Sequence, residues 1–131
     1  MSMHLRDMKL TGTTDGSGDL TVNGEAAIFG LLYAIEWVKG TFDNGVDATF
    51  TVQSTPSGVA YTILTLTDAN ANAIYYPRKG VHSDVGAALT YDGTRAINDL
   101  PLLIGKPRMV VAQGGNAKTG SAILYYLANQ R

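Results

Sequence analysis

The chain has 131 residues, which is enough for one domain of ordinary size. Its ten Lys and Arg residues nearly balance its eleven Asp and Glu residues, and the resulting net charge of −1 disfavours binding to nucleic acid or to an anionic membrane. Cysteine is absent and no run of about 20 apolar residues occurs, which excludes disulfides, cysteine-ligated metals and a membrane-spanning helix. We therefore expect a single domain over residues 1–131, with neither nucleic acid nor membrane as a partner.

The first predicted strand covers about residues 4–13, with Leu5, Met8 and Leu10 as its apolar positions. A turn rich in Asp, Ser and Gly follows it, and residues 19–23 then alternate polar and apolar side chains as a half-buried strand does. We also expect residues 1–12 to act as an N-terminal arm that could add a strand to a neighbouring subunit.

The most apolar segment, residues 29–38, is predicted as a central strand that is covered on both faces. A helix is the alternative, but branched and aromatic residues dominate the segment, and Gly30 would weaken a helix. Strict alternation places four side chains on each face: Leu31, Tyr33, Ile35 and Trp37 on one, and Leu32, Ala34, Glu36 and Val38 on the other.

A hairpin is predicted next, from residues 46–53 and 61–67 joined at the turn of residues 55–58. Val46, Ala48, Phe50 and Val52 alternate with polar residues in the first of these strands. A short strand at 73–76 follows, and Pro77 ends it.

Residues 78–105 show no regular pattern, and this long segment is predicted as a functional or mobile loop. The alternative is a sandwich crossover with one short strand near residues 87–91. Residues 107–113 and 119–127 are predicted to form a final hairpin. The whole pattern predicts an all-β fold, a single jelly-roll-like or immunoglobulin-like sandwich or a barrel, with about seven to nine short antiparallel strands.

The segment Gly114 to Gly120 superficially resembles a phosphate-binding loop. The Gly-Lys-Ser/Thr ending of that motif is missing because Ala117 precedes Lys118, and the predicted setting is a turn between strands. A glycine-rich turn explains the same residues, so we predict no nucleotide cofactor.

Acidic side chains at Asp43 and Asp47 could supply oxygen ligands to calcium. An EF-hand loop needs more ligands and a distant Glu, so a turn without an ion is the favoured reading for these residues and also for Asp15 and Asp19. The sequence leaves open whether Asp43 and Asp47 bind an ion.

The two histidines, His4 and His82, lack the spacing of a zinc-binding helix. His82 and Asp84 could join a serine in a catalytic triad, but no Gly-x-Ser-x-Gly motif presents a nucleophile. We predict surface histidines, no catalytic residue, no metal site and no enzymatic activity.

Two pairs of adjacent tyrosines, Tyr75–Tyr76 and Tyr125–Tyr126, could stack on bases as in single-strand binders. The balanced net charge favours another interpretation, in which one ring of each pair lies in the core and the other at a surface or interface. The basic residues considered with them are Arg78, Lys79, Lys106, Arg108 and Lys118.

Over about residues 12 to 127, the chain resembles a group of small virion structural proteins of tailed bacteriophages and prophages. The segments that carry the resemblance are residues 15–19 (DGSGD), 30–37 (GLLYAIEW), 43–48 (DNGVDA), 62–71 (TILTLTDANA), 75–78 (YYPR) and 113–120 (QGGNAKTG). The resemblance is to a pattern of turns and strands, and it transfers no catalytic residue.

The resemblance implies a virion protein assembled in the bacterial cytoplasm, with capsid decoration as its leading role. It implies the major capsid protein or portal and neck proteins as partners, and a homo-oligomer, with a trimer favoured over a ring of 6 or 12 copies. The first alternative is a connector or collar ring at the portal vertex. The second is a carbohydrate- or cell-surface-binding module, which would need Trp37, Tyr75 and Tyr76 on an exposed platform.

Overall fold

The computed structural model describes residues 3–129, in which all regular secondary structure is β. Ten strands occur in this range, and no helix that could cross a membrane is found there. The strands are β1 Met3–Thr13, β2 Leu20–Asn23, β3 Ile28–Val38, β4 Asp47–Ser54, β5 Ala60–Leu66, β6 Ala73–Tyr75, β7 Lys79–Gly80, β8 Asn98–Asp99, β9 Leu102–Ala112 and β10 Thr119–Asn129.

Eight strands form one antiparallel sheet that is not closed, in the order β1-β10-β3-β9-β4-β5, with β2 also paired to β9 and β6 to β3. The strand β3 has three partners: residues 28–31 pair with β9, residues 35–37 pair with β6, and β10 pairs with residues 31–38. The all-β prediction is confirmed, and the arrangement resembles a sandwich rather than a closed barrel.

Trp37 occupies the centre of the core between the layers. Its ring stacks on Phe42 with centroids 5.7 Å apart and meets Phe50 of β4 edge to face at 6.4 Å. The indole Nε1–H donates to the carbonyl of Ala69 at 3.0 Å, so burial of this side chain leaves no unpaired donor.

A β-bulge at Tyr33 changes which side chains of β3 face the core. Tyr125 pairs with Ala34 and Tyr126 pairs with Leu32, so one extra residue lies in β3 at this point. Leu32, Ile35 and Trp37 are all buried, whereas Tyr33 is 44% exposed. The predicted face of Leu31, Tyr33, Ile35 and Trp37 is therefore wrong, and so is the prediction that both faces of the strand are covered, since Phe29 is exposed as well.

The predicted final hairpin is also wrong. Its two strands, β9 and β10, are separated in the sheet by β3 and do not pair with each other. The strand β9 begins at Leu102, so residues 102–105 belong to the sheet and not to the long loop. The β4–β5 hairpin is confirmed, with a register shift after Phe50.

The N-terminal segment forms an edge strand rather than a free arm. Residues 3–13 pair with β10 along their whole length, from Met3 opposite Asn129 to Thr13 opposite Thr119. The first two residues of the predicted arm lie outside the described residues.

Candidate interaction surfaces

Residues 79–99 form a projection that we call the arm from here on. It is a different segment from the predicted N-terminal arm of residues 1–12. At its base, Lys79 pairs with Asp99 and Gly80 with Asn98, so the chain leaves and re-enters the sandwich at neighbouring positions. Single antiparallel bridges, His82 with Ala88 and Thr90 with Ala96, close two hairpins within the arm. The strand considered near residues 87–91 is therefore reduced to isolated bridges.

The stem and the two hairpins meet in a ring of three backbone hydrogen bonds. Val81 donates its N–H to Ile97 O at 2.9 Å, Ile97 donates to Leu89 O at 3.0 Å, and Leu89 donates to Val81 O at 3.0 Å. This three-way junction satisfies the donors of all three residues without a continuous ladder.

Local side-chain contacts shape the second hairpin of the arm. The carboxylate of Asp92 accepts the backbone N–H of Arg95 at 2.6 Å and that of Thr94 at 3.0 Å, and it pairs with Arg95 Nε at 2.6 Å. The backbone N–H of Arg95, followed by its side chain, lowers the pKa of Asp92 below its ordinary value. The guanidinium of Arg95 lies 5.0 Å from the centre of the Tyr91 ring.

Apolar side chains of the arm face away from the sandwich core. The core cluster and the residues packed against it include no member of 79–99 within the described chain. Val85 is 84% exposed, and Leu89, Tyr91 and Ile97 are exposed as well. Exposed apolar groups collected on a projection are a signal of protein binding.

A second apolar surface, which we call the outer face, covers the solvent side of the layer β1, β10, β3 and β6. Leu5 lies opposite Leu127, which lies opposite Leu31, and Ile74 lies opposite Glu36. Leu5 is 59% exposed and Ile74 is 49% exposed. The apolar residues of the outer face are Leu5, Leu31, Ile74, Ile123, Tyr125 and Leu127, and the charged residues Asp7, Lys9 and Glu36 lie among them.

One hydrogen bond crosses the outer face between β10 and β3. Tyr125 Oη donates to Glu36 Oε1 at 2.7 Å. Because this bond stabilises the neutral phenol, Glu36 raises the pKa of Tyr125, with smaller contributions from desolvation and the charge of Asp7.

Tyr33, Tyr76 and Arg78 form a cluster between the outer face and the arm. The rings of Tyr33 and Tyr76 meet edge to face at 6.3 Å. Arg78 lies 5.7 Å from the centre of the Tyr33 ring and donates to the Tyr33 carbonyl at 3.1 Å. The tyrosine prediction agrees with the structure here, because Tyr76 is exposed while Tyr75 packs against the core.

A groove of about 270 Å³ opens between β1, β10 and the turn before β3. Met8, Ile28, Tyr126 and Ala128 form its apolar floor, and each of them is at least 90% buried. Arg6 is the charged residue among those lining it. We call this feature the groove.

Of the predicted acidic ligands, Asp15, Asp19 and Asp43 lie in turns or loops, whereas Asp47 begins β4. Asp47 accepts the N–H of Asp68 at 2.9 Å, and Asp43 lies against the backbone of Gly115. Asp15 accepts the N–H groups of Asp19 and Ser17, and these bonds, that from Asp19 first, lower its pKa. Within residues 3–129 the structure has no cluster of three or more side chains that could hold a metal.

The other sequence candidates also lie apart. His4 is on β1 and His82 is in the arm.

In the glycine-rich segment, Gly114 donates its backbone N–H to Gly18 O and Lys118 donates its backbone N–H to Thr14 Oγ1, so these amides bind the protein's own turn. Trp37 is fully buried, which rules out the platform of Trp37, Tyr75 and Tyr76 in this structure. Among the basic residues considered with the tyrosines, Arg108 lies on β9 and donates its Nε–H to Asn23 Oδ1, whereas Arg78 lies between β6 and β7.

The sequence reasoning missed the three-way junction, although a signal for it is present. Val81, Leu89 and Ile97 recur at every eighth position, and Asp84 and Asp92 each follow three residues after one of them. No protein-family model matches the chain, and no curated protein or solved structure is significantly similar to it.

Proposed function

We propose that this protein is a non-enzymatic structural component of a tailed-phage virion, and that it decorates the capsid by binding the major capsid protein. The outer face is the observation that carries the proposal. It is a sheet surface with exposed Leu5 and Ile74 at its two sides and half-buried side chains of β10 between them.

The physical argument concerns what such a surface does in water. The apolar side chains of this face gain free energy when a flat partner covers them. Asp7, Lys9 and Glu36 lie on the same side of the sheet, opposite Tyr125, Ile123 and Ile74, so the partner must also pair with these charges. Tyr125 and Tyr33 supply the amphipathic rings that are enriched at protein interfaces. The resemblance of the turn and strand pattern to virion proteins supports a particle surface as the partner.

Co-sedimentation with empty heads tests this proposal. The heads are assembled from the major capsid protein encoded nearest to this chain in its genome. The wild-type protein should sediment with them, and Leu5→Asp or Ile74→Asp should weaken binding by roughly tenfold or more, as expected for a central interface residue. The matched control is Val59→Asp, because Val59 is 64% exposed in the β4–β5 turn and lies off the outer face.

Three outcomes decide between the roles. Binding over the whole head surface that Leu5→Asp abolishes supports decoration. Binding at a single vertex, seen by electron microscopy, would move the role to a connector or collar ring. A wild-type protein that stays in the supernatant, or a Leu5→Asp variant that binds like wild type, would refute the proposal.

A further inference from the structure

The tip of the first hairpin of the arm holds one apolar side chain far out in solvent. Gly86 donates its N–H to Ser83 O at 3.0 Å, and Ala87 donates to Ser83 Oγ at 3.3 Å. Gly86 has a φ of 79°, a conformation that glycine adopts without strain. This turn presents Val85, which is 84% exposed and has the acidic Asp84 beside it.

The groove matches this tip in size and in the sign of its charge. Its floor is apolar and its volume of about 270 Å³ admits a valine side chain with part of its turn. Its charged lining residue is Arg6, whereas the charged residue next to Val85 is Asp84. The tip of a chain does not fill that chain's own groove, since Val85 is exposed.

We propose that Val85 of one copy inserts into the groove of a second copy, with Asp84 pairing with Arg6. The two surfaces differ, so the contact is heterologous, and every copy carries one tip and one groove. Repeated contacts of this kind either close into a ring or continue as a filament, depending on the rotation between copies. The Asp84–Arg6 pair lies at the rim, where it orients the contact and speeds association.

Solution mass by light scattering after size exclusion is the first test. The wild-type protein should reach at least twice the mass of one chain, and the mass should rise with concentration unless a ring has closed. Val85→Asp should reduce it to one chain. Val59→Asp places the same charge on a comparably exposed valine outside the arm and should leave the wild-type mass unchanged.

Charge reversal tests the pairing of Asp84 with Arg6. Asp84→Arg alone and Arg6→Asp alone should each lower the mass, and the double variant should restore it. Restoration would not follow if either substitution acted by unfolding the chain, and far-UV circular dichroism checks the fold of each variant.

Mixing two variants tests whether the contact is heterologous. Val85→Asp retains an intact groove, whereas Ala27→Trp fills the lining of the groove and retains an intact tip. An equimolar mixture should form a species of two chains and nothing larger. Two variants that stay separate when mixed would contradict a tip-to-groove contact.

The proposal is overturned if the wild-type protein has the mass of one chain at every concentration reached, or if Val85→Asp does not change the mass. Head binding is measured separately by co-sedimentation. A single-chain Val85→Asp that still binds heads would separate self-assembly from capsid attachment. Intact self-assembly without head binding would refute the proposed function and leave this inference standing.

Discussion

Gly30 of β3 lies directly against the backbone carbonyl of Leu127 on β10. A methyl group on Gly30 would collide with that oxygen and would also contact the Ala128 side chain. Gly30 stands next to Leu31, which is paired with Leu127 in the β3–β10 ladder, and Gly30 itself is paired with Leu103 of β9.

Gly30→Ala should therefore lower the free energy of unfolding by about 1–3 kcal/mol, because the neighbouring carbonyl belongs to the backbone and cannot move aside cheaply. Denaturant unfolding monitored by Trp37 fluorescence measures this change in the free energy of unfolding. Gly16→Ala is the matched control, since the nearest atom to its added methyl is 4.0 Å away, and it should change stability by less than about 0.5 kcal/mol. Equal stability of the two variants would contradict the close packing at Gly30.

The Tyr125–Glu36 hydrogen bond predicts a pH dependence at high pH. The pKa of Tyr125 is raised above its ordinary value of 10.0, so the bond contributes stability below that value and the contribution is lost as pH rises through the folded-state pKa. Ultraviolet titration of wild type minus Tyr125→Phe isolates this phenol. Glu36→Gln should shift its titration to lower pH, whereas Glu25→Gln in the turn before β3 should not.

The lowered pKa of Asp92 predicts that the arm loses stability in acid. Its pKa is lowered by the Arg95 backbone N–H and side chain, so its contribution is present above the ordinary value of 3.8 and is lost as pH falls through the folded-state pKa. Asp92→Asn should speed hydrogen exchange of the Leu89 and Ile97 amides while leaving the Trp37 region protected. Asp19→Asn, the same change in a turn outside the arm, serves as control and should leave the exchange of both amides unchanged. Unchanged exchange in Asp92→Asn would show that Asp92 does not hold the junction.

Removing most of the arm should leave the sandwich folded. Gly80 and Asn98 are directly paired, so a two-residue Asn-Gly turn can replace residues 81–97. Because no residue of the arm belongs to the core, the midpoint of denaturant unfolding should stay close to that of wild type. An unfolded product would show that the arm contributes to the core after all.

Local pattern predicted the strands well where pairing is also local. In β4, alternation placed Ala48, Phe50 and Val52 inward, and all three are buried. In β3 the same reasoning failed at Tyr33, because a bulge adds one residue and reverses the faces before it. Nothing in the residue types at 31–34 distinguishes a bulged strand from a regular one.

Predictions that depended on partners distant in sequence were weaker. The glycine-rich segment 113–118 has the composition of a hairpin turn, but β9 and β10 each pair with β3 and not with each other. Turn composition carries no information on that choice. The outer face depends on register across β1, β10, β3 and β6, which the sequence alone leaves undetermined. The tyrosine pairs indicated the outer face in part, because the exposed Tyr76 lies beside this surface.

The position of β10 between β1 and β3 has a consequence for synthesis on the ribosome. Neither β1 nor β3 can complete its hydrogen-bonded ladder until β10 has emerged from the ribosome. Met3 of β1 pairs with Asn129 of β10, and Val38 of β3 pairs with Ser121 of β10. Such non-local pairing slows folding, and the nascent chain exposes two unpaired strand edges meanwhile. Chains that stall or are cut before β10 should therefore aggregate or be degraded instead of forming a smaller stable domain.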